Sequence, residues 1–217
     1  MLRIPPHKKL LSYLTPIRIR KSSGTENPLL ELFIYQGQYQ LATTDALYSD
    51  GTRYKPIRIA CKYLKDKMSD IKSVLMLGTG LGSGVQILAE YGCNAKYTLV
   101  EYDRTVLDWA MELMPGDLAK RITPVCIDAQ QFMNENTQKF DLIIVDIFRS
   151  RIVPDFVTSR TFLEQCKHAI NPNGYWVLNY IEQLNESWDS KSIAIHNVFP
   201  TSSQVDHDIN KIVIAKV

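Results

Sequence analysis

The sequence predicts an α/β fold: a doubly wound, mostly parallel sheet of the Rossmann-like type, with a C-terminal antiparallel hairpin and a small N-terminal β-hairpin unit. Three observations support this prediction. Strand-like and helix-like segments alternate from Lys72 onward, which is typical of βαβ units. Several strand-like segments are continuous apolar runs, such as 142–145, as expected for a parallel sheet covered on both faces. A glycine-rich turn, 78–84, joins the first of these strands to the next helix.

The N-terminal unit is expected to span residues 1–52. Apolar and basic residues alternate over 16–21, which indicates a half-exposed strand. Two more strand-like runs, 29–35 and 38–43, flank the Gln-Gly dipeptide at 36–37, which is typical of a tight hairpin turn. The unit is too short to bury much core by itself, so we expect it to pack on another surface, such as a second subunit.

The α/β domain is expected to span residues 53–217. Residues 55–70 are predicted to be helical, because apolar residues recur on one face at helical spacing. Further strands are predicted at 73–77, 95–101, 122–127, 140–146 and 174–181. Further helices are predicted at 83–91, 104–113, 128–136, 159–170 and 188–197. Two last strand-like runs, 203–207 and 211–217, predict the terminal hairpin.

The composition narrows the classes of partner. The 217 residues include 25 basic and 23 acidic residues, a formal net charge of +2, which is too balanced to predict binding to nucleic acid or to an anionic membrane. No apolar run has transmembrane length, and the N-terminal segment lacks the apolar stretch and cleavage site of a secretory signal. The four cysteines are scattered, so we expect buried free thiols in a cytoplasmic protein and no metal site.

The glycine turn and an acidic residue after it predict a nucleoside site. Residues 74–84 read V-L-M-L-G-T-G-L-G-S-G, and Gly78, Gly80 and Gly82 allow the bare backbone to approach a ligand closely. The following helix directs its free N–H groups toward that ligand. Glu101 ends the next strand, where its carboxylate can accept hydrogen bonds from the two hydroxyls of a ribose.

The glycine spacing favours a nucleoside without a pyrophosphate. A dinucleotide fingerprint needs Gly or Ala at the sixth position from Gly78, but that position is Ser83. The G-x-G-x-G form is closer to that of S-adenosylmethionine (AdoMet) binders, and the terminal hairpin is typical of AdoMet methyltransferase-type folds. Both features disfavour a nicotinamide-dependent oxidoreductase. The alternative is a glycine turn that only lets the helix and strand pack closely.

Strand-end carboxylates supply the candidates for chemistry. Asp103 is predicted to cap the helix that follows it. Asp128 either caps the next helix or accepts from an adenine amino group. Asp146 ends the fourth strand of the domain, where a carboxylate can take a proton from an amine or stabilise a cation. The other candidate contacts to the nucleoside are Thr79, Tyr102 and Ala129.

Several motifs in this region occur together in one known family. Gly37, Gln40 and Asp45 fit the hairpin pattern G-x-x-Q followed by D-E-x-x-Y-H-E. The run F-D-x-I-I-x-D ends in Asp146, and N-P-x-G-x-W/F-V recurs at 171–177. With the glycine turn, Glu101 and Asp128, these motifs resemble the spermidine synthases, aminopropyltransferases that use decarboxylated AdoMet. The resemblance implies that Gln40 and Asp45 reach the cofactor, that Asp146 is catalytic, that the acceptor is a small molecule and that the protein is a homodimer.

Three positions depart from the family pattern. Leu81 replaces an Asp that holds the aminopropyl amine, and Arg149 replaces an Asp that holds the polyamine. Ser49 occupies the place of the catalytic Tyr in ungapped register. Tyr48, one residue away, is therefore our candidate catalytic Tyr, and Tyr54, which a gap would bring into register, is a candidate substrate contact.

These departures leave the acceptor open. Phe148 is predicted to line the acceptor pocket, and we hypothesise that Arg149, with Arg151, selects an acidic acceptor or the carboxylate of intact AdoMet. The alternative is that both arginines are solvated loop residues. The transferred group is then aminopropyl, as the resemblance implies, or methyl, as the lost acids suggest. A catalytically inert nucleoside-binding protein is the third alternative.

Overall fold

The structure, a computed structural model, contains two β-sheets. It describes residues 4–22, 26–27, 29–44, 46–182 and 187–217. One sheet has four antiparallel strands in the order β1-β2-β3-β4, and the other has seven strands in the order β10-β11-β9-β8-β5-β6-β7. The N-terminal elements are α1 (Pro6–Leu11), β1 (Ile17–Ser22), β2 (Leu30–Tyr35), β3 (Gln38–Ala42) and β4 (Leu47–Ser49).

The second sheet and its helices follow in alternation. Its strands are β5 (Ser73–Leu77), β6 (Lys96–Glu101), β7 (Ile122–Cys126), β8 (Phe140–Val145), β9 (Ile170–Ile181), β10 (Ser203–His207) and β11 (Asn210–Lys216). The helices are α2 (Lys55–Tyr63), α3 (Ser83–Glu90), α4 (Arg104–Leu113), α5 (Gly116–Ala119), α6 (Ala129–Glu135), α7 (Arg160–His168) and α8 (Trp188–Val198). Short 3₁₀ turns lie at Gly51–Arg53, Lys65–Lys67 and Asp155–Thr158.

The strand order fixes where a ligand can bind. β5 pairs in parallel with β6 on one side and with β8 on the other, so the chain reverses its direction of travel across the sheet at β5. β10 and β11 form an antiparallel hairpin against β9. The predicted doubly wound sheet with a terminal hairpin is therefore confirmed. In such sheets a crevice opens at the carboxyl ends of the strands beside the reversal point.

The N-terminal hairpin is also confirmed. Tyr35 pairs with Gln38 across a two-residue turn, in which Gln36 has φ 50° and Gly37 has φ 74°. Positive φ at both central residues matches the right-handed twist of the flanking strands. The sequence did not predict α1, which buries no residue and so has no apolar periodicity, or the three-residue strand β4.

Two expectations need correction. The helix predicted over 55–70 ends at Tyr63 and is followed by the 3₁₀ turn Lys65–Lys67. Met68 is nevertheless buried, so the apolar spacing persists where the α-helical hydrogen bonds do not. The four cysteines are free, but Cys126 is exposed, because it lies at the end of the edge strand β7.

The N-terminal sheet packs on the α/β part of the same chain. Seven buried side chains form this contact: Leu30, Leu32, Leu41, Leu81, Val106, Trp109 and Leu113. Burial of each such side chain contributes about 1.5–3 kcal/mol relative to exposure. Trp109 thus packs in the core. Among the described residues, no helix is long and apolar enough to cross a membrane.

Candidate active site

A cavity of about 260 Å³ lies at the carboxyl ends of β5 to β8. Residues of β4 and of the C-terminal hairpin turn complete its wall. The predicted site residues that line it are Tyr48, Tyr54, Gly78, Thr79, Gly80, Glu101, Tyr102, Asp128, Ala129, Asp146, Phe148 and Arg149. Of the predicted residues within the described ranges, Gln40 and Gly82 are not part of this lining. Asp45 lies outside the described residues.

The glycine turn makes two close backbone contacts, one that a side chain would block and one that it would crowd. Gly78 has φ 82° and Gly80 has φ 48°, values in the left-handed region that favours glycine. A Cβ on Gly78 would collide with the backbone carbonyl of Asp146, and one on Gly80 would lie 3.0 Å from the carbonyl oxygen of Tyr48. The turn is thus held between the end of β8 and the N-terminal sheet.

Glu101 connects the turn to the end of β6. Its Oε2 accepts from the backbone N–H of Thr79 at 3.1 Å, and its Oε1 accepts from that of Asp103 at 3.2 Å. Burial raises the pKa of this carboxyl, and the two backbone donors oppose that rise. The carboxylate is therefore fixed beside the glycine turn, in the place predicted for a ribose contact.

Asp103 and Asp128 both cap helices. Asp103 accepts from the N–H of Thr105 at 2.9 Å at the start of α4, which confirms its predicted role. Asp128 accepts from the N–H of Gln130 at 2.8 Å at the start of α6. Asp128 also lines the cavity, and its second oxygen lies 3.5 Å from Arg149 Nη2. Capping and ligand contact are thus compatible for Asp128.

Asp146, Tyr54 and Asn179 form a hydrogen-bonded triangle. Asp146 Oδ1 accepts from the Tyr54 hydroxyl and from Asn179 Nδ2, each at 2.9 Å. Asn179 Nδ2 also donates to the Tyr54 oxygen at 2.8 Å. Burial raises the pKa of Asp146 to about 6, although both hydrogen bonds act to lower it. Burial, followed by the Asp146 charge, raises the pKa of Tyr54 well above its ordinary value.

Sequence analysis missed Asn179. The residue is buried on β9 within the run Val177-Leu-Asn-Tyr-Ile181. A polar side chain that interrupts the apolar end of a strand is a signal that could have identified it, since buried amides need partners.

The two candidate tyrosines have different partners. The phenol beside Asp146 is that of Tyr54, which precedes α2. The hydroxyl of Tyr48, the predicted catalytic tyrosine, accepts from the Ser150 N–H at 2.6 Å and donates to Asn27 Oδ1 at 3.2 Å. The 3₁₀ turn Gly51–Arg53 separates the two residues and directs them to different parts of the cavity.

Three other predicted positions serve packing or hydrogen bonding within the protein. Leu81 is buried in the contact between the N-terminal sheet and α4. Ser49 is buried, and its Oγ lies 2.6 Å from Ser83 Oγ. Gln40 donates to Asp50 Oδ1 at 2.7 Å. The place that the family pattern gives to an amine-binding Asp is therefore apolar and directed into the core.

Arg149 lies on the nucleoside side of the cavity. Its guanidinium carbon is 5.8 Å from the centre of the Tyr102 ring, within cation–π distance. Its Nη2 is 3.5 Å from Asp128 Oδ2. Both partners were predicted to contact the nucleoside, so this arginine borders the same end of the cavity.

Comparison with known proteins decides the family. The family model of the spermine/spermidine synthase domain matches residues 63–214. The chain belongs to this family. A polyamine aminopropyltransferase from Klebsiella pneumoniae (strain 342) is 31% identical to this chain over 111 residues. That match covers 49% of this chain and 39% of the relative, so it spans about two fifths of the relative's length.

Solved structures share the fold of this spermidine synthase-like chain. A probable spermidine synthase from Corynebacterium glutamicum ATCC 13032 aligns with a TM-score of 0.74 and 19% identity, over 93% of this chain and 81% of that one. Human methyltransferase-like protein 13, solved in complex with SAH, aligns with a TM-score of 0.62 and 18% identity, over 76% of this chain and 81% of that one.

Proposed function

We propose that the chain is an AdoMet-type transferase that moves an aminopropyl group from decarboxylated AdoMet to a small amine. The observation that carries this proposal is the position of Asp146, which lies beside the glycine turn and is held by Tyr54 and Asn179. Family membership supports the reaction class, because the chain shares the spermine/spermidine synthase domain.

The cavity fits a sulfonium nucleoside. Gly78 and Gly80 leave the close approach that such a ligand needs, and buried Glu101 presents a carboxylate to a ribose. Asp128, Tyr102 and Ala129 border the adenine end. When bound, the nucleoside supplies a carbon made electrophilic by its positive sulfur.

Asp146 would act on the acceptor amine. Its Oδ1 is occupied by the Tyr54 and Asn179 donors, which leaves Oδ2 to orient the amine and to take its proton. As the new C–N bond forms, the C–S bond breaks and its electron pair stays on sulfur, so a neutral thioether nucleoside leaves. With a pKa of about 6, Asp146 is ionised at neutral pH and ready to accept that proton.

The acceptor would carry a carboxylate instead of a second ammonium. Arg149 and Arg151 both line the cavity, and the charges of both would repel a polycation. Because Arg149 stands beside Tyr102 and Asp128 at the nucleoside end, Arg151 would bind the acceptor carboxylate in a bidentate manner. Phe148, Pro154 and Phe156 add an apolar wall. Arg151→Ala tests this: we expect turnover to shift from amino-carboxylates toward putrescine, and unchanged selectivity would contradict the assignment.

Methyl transfer from intact AdoMet is the second candidate. It is favoured by Leu81, whose side chain is 2% exposed and lies in the apolar contact with α4. No carboxylate stands at that position to hold an aminopropyl ammonium. In the family pattern, an Asp at this position would repel the carboxylate of intact AdoMet. The apolar Leu81 does not, so intact AdoMet is excluded less strongly here.

Calorimetry with AdoMet and with decarboxylated AdoMet separates the two candidates. We expect the decarboxylated form to bind at least tenfold more tightly, a difference of about 1.4 kcal/mol. Tighter binding of intact AdoMet would favour methyl transfer. Radiolabel transfer to an amine panel then tests turnover, and binding without any turnover would support an inert nucleoside-binding protein.

The proposal includes a homodimer in the cytoplasm. Leu10 and Leu14, in and after α1, are 73% and 83% exposed, and large apolar side chains clustered at a surface favour a partner. Sedimentation of the full chain checks the assembly: we expect twice the 24.8 kDa chain mass, and a monomer at micromolar concentration would contradict it.

A further inference from the structure

A short turn after β8 forms part of the cavity wall. Arg149 and Ile152 exchange backbone hydrogen bonds of 2.9 Å and 3.1 Å, and between them Ser150 has φ 60°. A non-glycine residue in this region is strained and persists only where its surroundings hold it. Here the Ser150 N–H donates to the Tyr48 hydroxyl oxygen at 2.6 Å.

This hydrogen bond is the first of a series that ends at Glu101, whose carboxylate is the predicted ribose contact. The Tyr48 hydroxyl donates to Asn27 Oδ1 at 3.2 Å, and Asn27 Nδ2 donates to Asp103 Oδ2 at 2.6 Å. The Asp103 N–H donates to Glu101 Oε1 at 3.2 Å. Asn27 and Asp103 are buried, so water does not compete readily for these bonds and the chain can transmit a shift.

We propose that Tyr48 is a positioning residue whose hydroxyl fixes the 149–152 turn at the nucleoside end of the cavity. By fixing this turn, Tyr48 holds the Arg149 side chain in contact with Tyr102 and Asp128. Nucleoside binding at Glu101 is thereby coupled to the conformation of the 149–152 turn. The inference rests on the proposed function in one respect, that the ligand of this cavity is a nucleoside.

The ion pair of Arg149 is too weak to place the turn by itself. Its distance to Asp128 is 3.5 Å and the arginine side chain is 63% exposed, and exposed pairs of this kind contribute little. The Tyr48 hydroxyl, by contrast, accepts from the backbone and donates to a buried amide. Phenylalanine at this position would leave the Ser150 N–H and Asn27 Oδ1 without this partner.

The main test is calorimetry with 5′-methylthioadenosine, a neutral nucleoside, on the full chain and on Tyr48→Phe. We expect the Kd to rise about tenfold. Tyr63→Phe is the matched control, since it removes an exposed phenol that bonds to Ser203 Oγ at 3.3 Å and should leave the Kd unchanged. Equal affinity of Tyr48→Phe and the unmodified chain would overturn the proposal.

A double-mutant cycle separates positioning from general destabilisation. If Tyr48 acts by placing Arg149, then Tyr48→Phe should change the Kd far less in an Arg149→Gln background than in the unmodified chain. Additive effects would show that Tyr48 acts only on stability and would overturn the inference. Should Tyr48→Phe fail to fold, Asn27→Ala interrupts the same chain one link further and is expected to give the same non-additive pattern.

Amide exchange provides a readout without a ligand. Peptides covering 148–153 should exchange faster in Tyr48→Phe than in the unmodified chain and in Tyr63→Phe. Unchanged exchange would contradict the role of the hydroxyl. If the unmodified chain does not bind the nucleoside, the proposed function and its coupling to the turn both fail, whereas faster exchange would still show that Tyr48 holds the turn.

Discussion

The Tyr54 hydroxyl lies 2.9 Å from Asp146 Oδ1, although the two residues are 92 positions apart in the chain. Asn179 donates to the same oxygen. Among the residues that the structure describes, no donor reaches Oδ2. The carboxylate is therefore oriented by one oxygen and open to a ligand through the other, an arrangement suited to a base that must bind its substrate in one direction.

Tyr54→Phe should move the acid limb of the pH–rate profile upward. The Tyr54 hydrogen bond lowers the pKa of Asp146, which is about 6 in the intact site. Its loss raises that pKa, so a larger fraction of Asp146 is protonated and inactive near pH 6. We expect a greater loss of kcat at pH 6 than at pH 8. Tyr63→Phe serves as control, and a profile that does not shift would contradict the role of Tyr54.

Asp146→Asn should abolish turnover and stabilise the fold at neutral and alkaline pH. The carboxyl has a folded-state pKa of about 6 and an unfolded value near 3.9, so the unfolded chain loses its proton first. The free energy of unfolding therefore falls as the pH rises from about 4 to about 6, and the full destabilisation by the Asp146 charge remains above that range. At pH 8 the variant should gain up to about 3 kcal/mol.

Urea titrations at pH 4 and pH 8 check this stability prediction. The gain from Asp146→Asn should be small at pH 4 and largest at pH 8. Asp155→Asn is a matched control, because Asp155 has an exposed side chain. A variant that is less stable than the unmodified chain at pH 8 would show that the charge of Asp146 stabilises the fold.

Glu101→Gln should weaken nucleoside binding by tenfold or more. Both carboxylate oxygens accept from backbone N–H groups, and the amide nitrogen of Gln would face one of those donors without forming a bond. Calorimetry with 5′-methylthioadenosine measures the loss. Glu164→Gln, on the exposed face of α7, should bind as the unmodified chain does. Equal affinities of the two variants would exclude Glu101 as a ribose contact.

Leu81→Asp should destabilise the chain and not restore an amine site. The side chain is 2% exposed in an apolar cluster, so the substitution removes packing and buries a carboxylate, at a cost of at least about 3 kcal/mol. Leu81→Met, which conserves volume, should cost less than about 1.5 kcal/mol. A stable Leu81→Asp variant with increased affinity for decarboxylated AdoMet would place this position in the cavity.

Local patterns predicted most of the fold because they depend on neighbours in sequence. The alternation after Lys72 and the 36–37 turn were sufficient to predict the doubly wound sheet and the N-terminal hairpin. The helix predicted over 55–70 was too long, since apolar spacing alone does not distinguish an α-helix from one that ends in a 3₁₀ turn.

The candidate site was predictable only in part, because its decisive contacts join residues that are far apart in the sequence. Their positions at strand ends made Glu101 and Asp146 candidates, and both line the cavity. The choice between Tyr48 and Tyr54 depends on the turn at Gly51–Arg53, which ungapped register cannot represent. The inward direction of Leu81 depends on a sheet that begins more than fifty residues earlier in the chain.

The contact between Gly78 and the backbone of Asp146 limits which positions of the site can change. No side chain fits between them, so the glycine turn and the end of β8 are in direct backbone contact. Leu81 and Arg149 are two positions that depart from the family pattern. They lie away from this backbone contact, in the apolar contact with α4 and on a turn at the rim of the cavity. Under the proposed function, substitutions on the exposed turn that carries Arg149 would alter ligand choice while the backbone contact beside Asp146 stays intact, whereas Leu81 is constrained by the core.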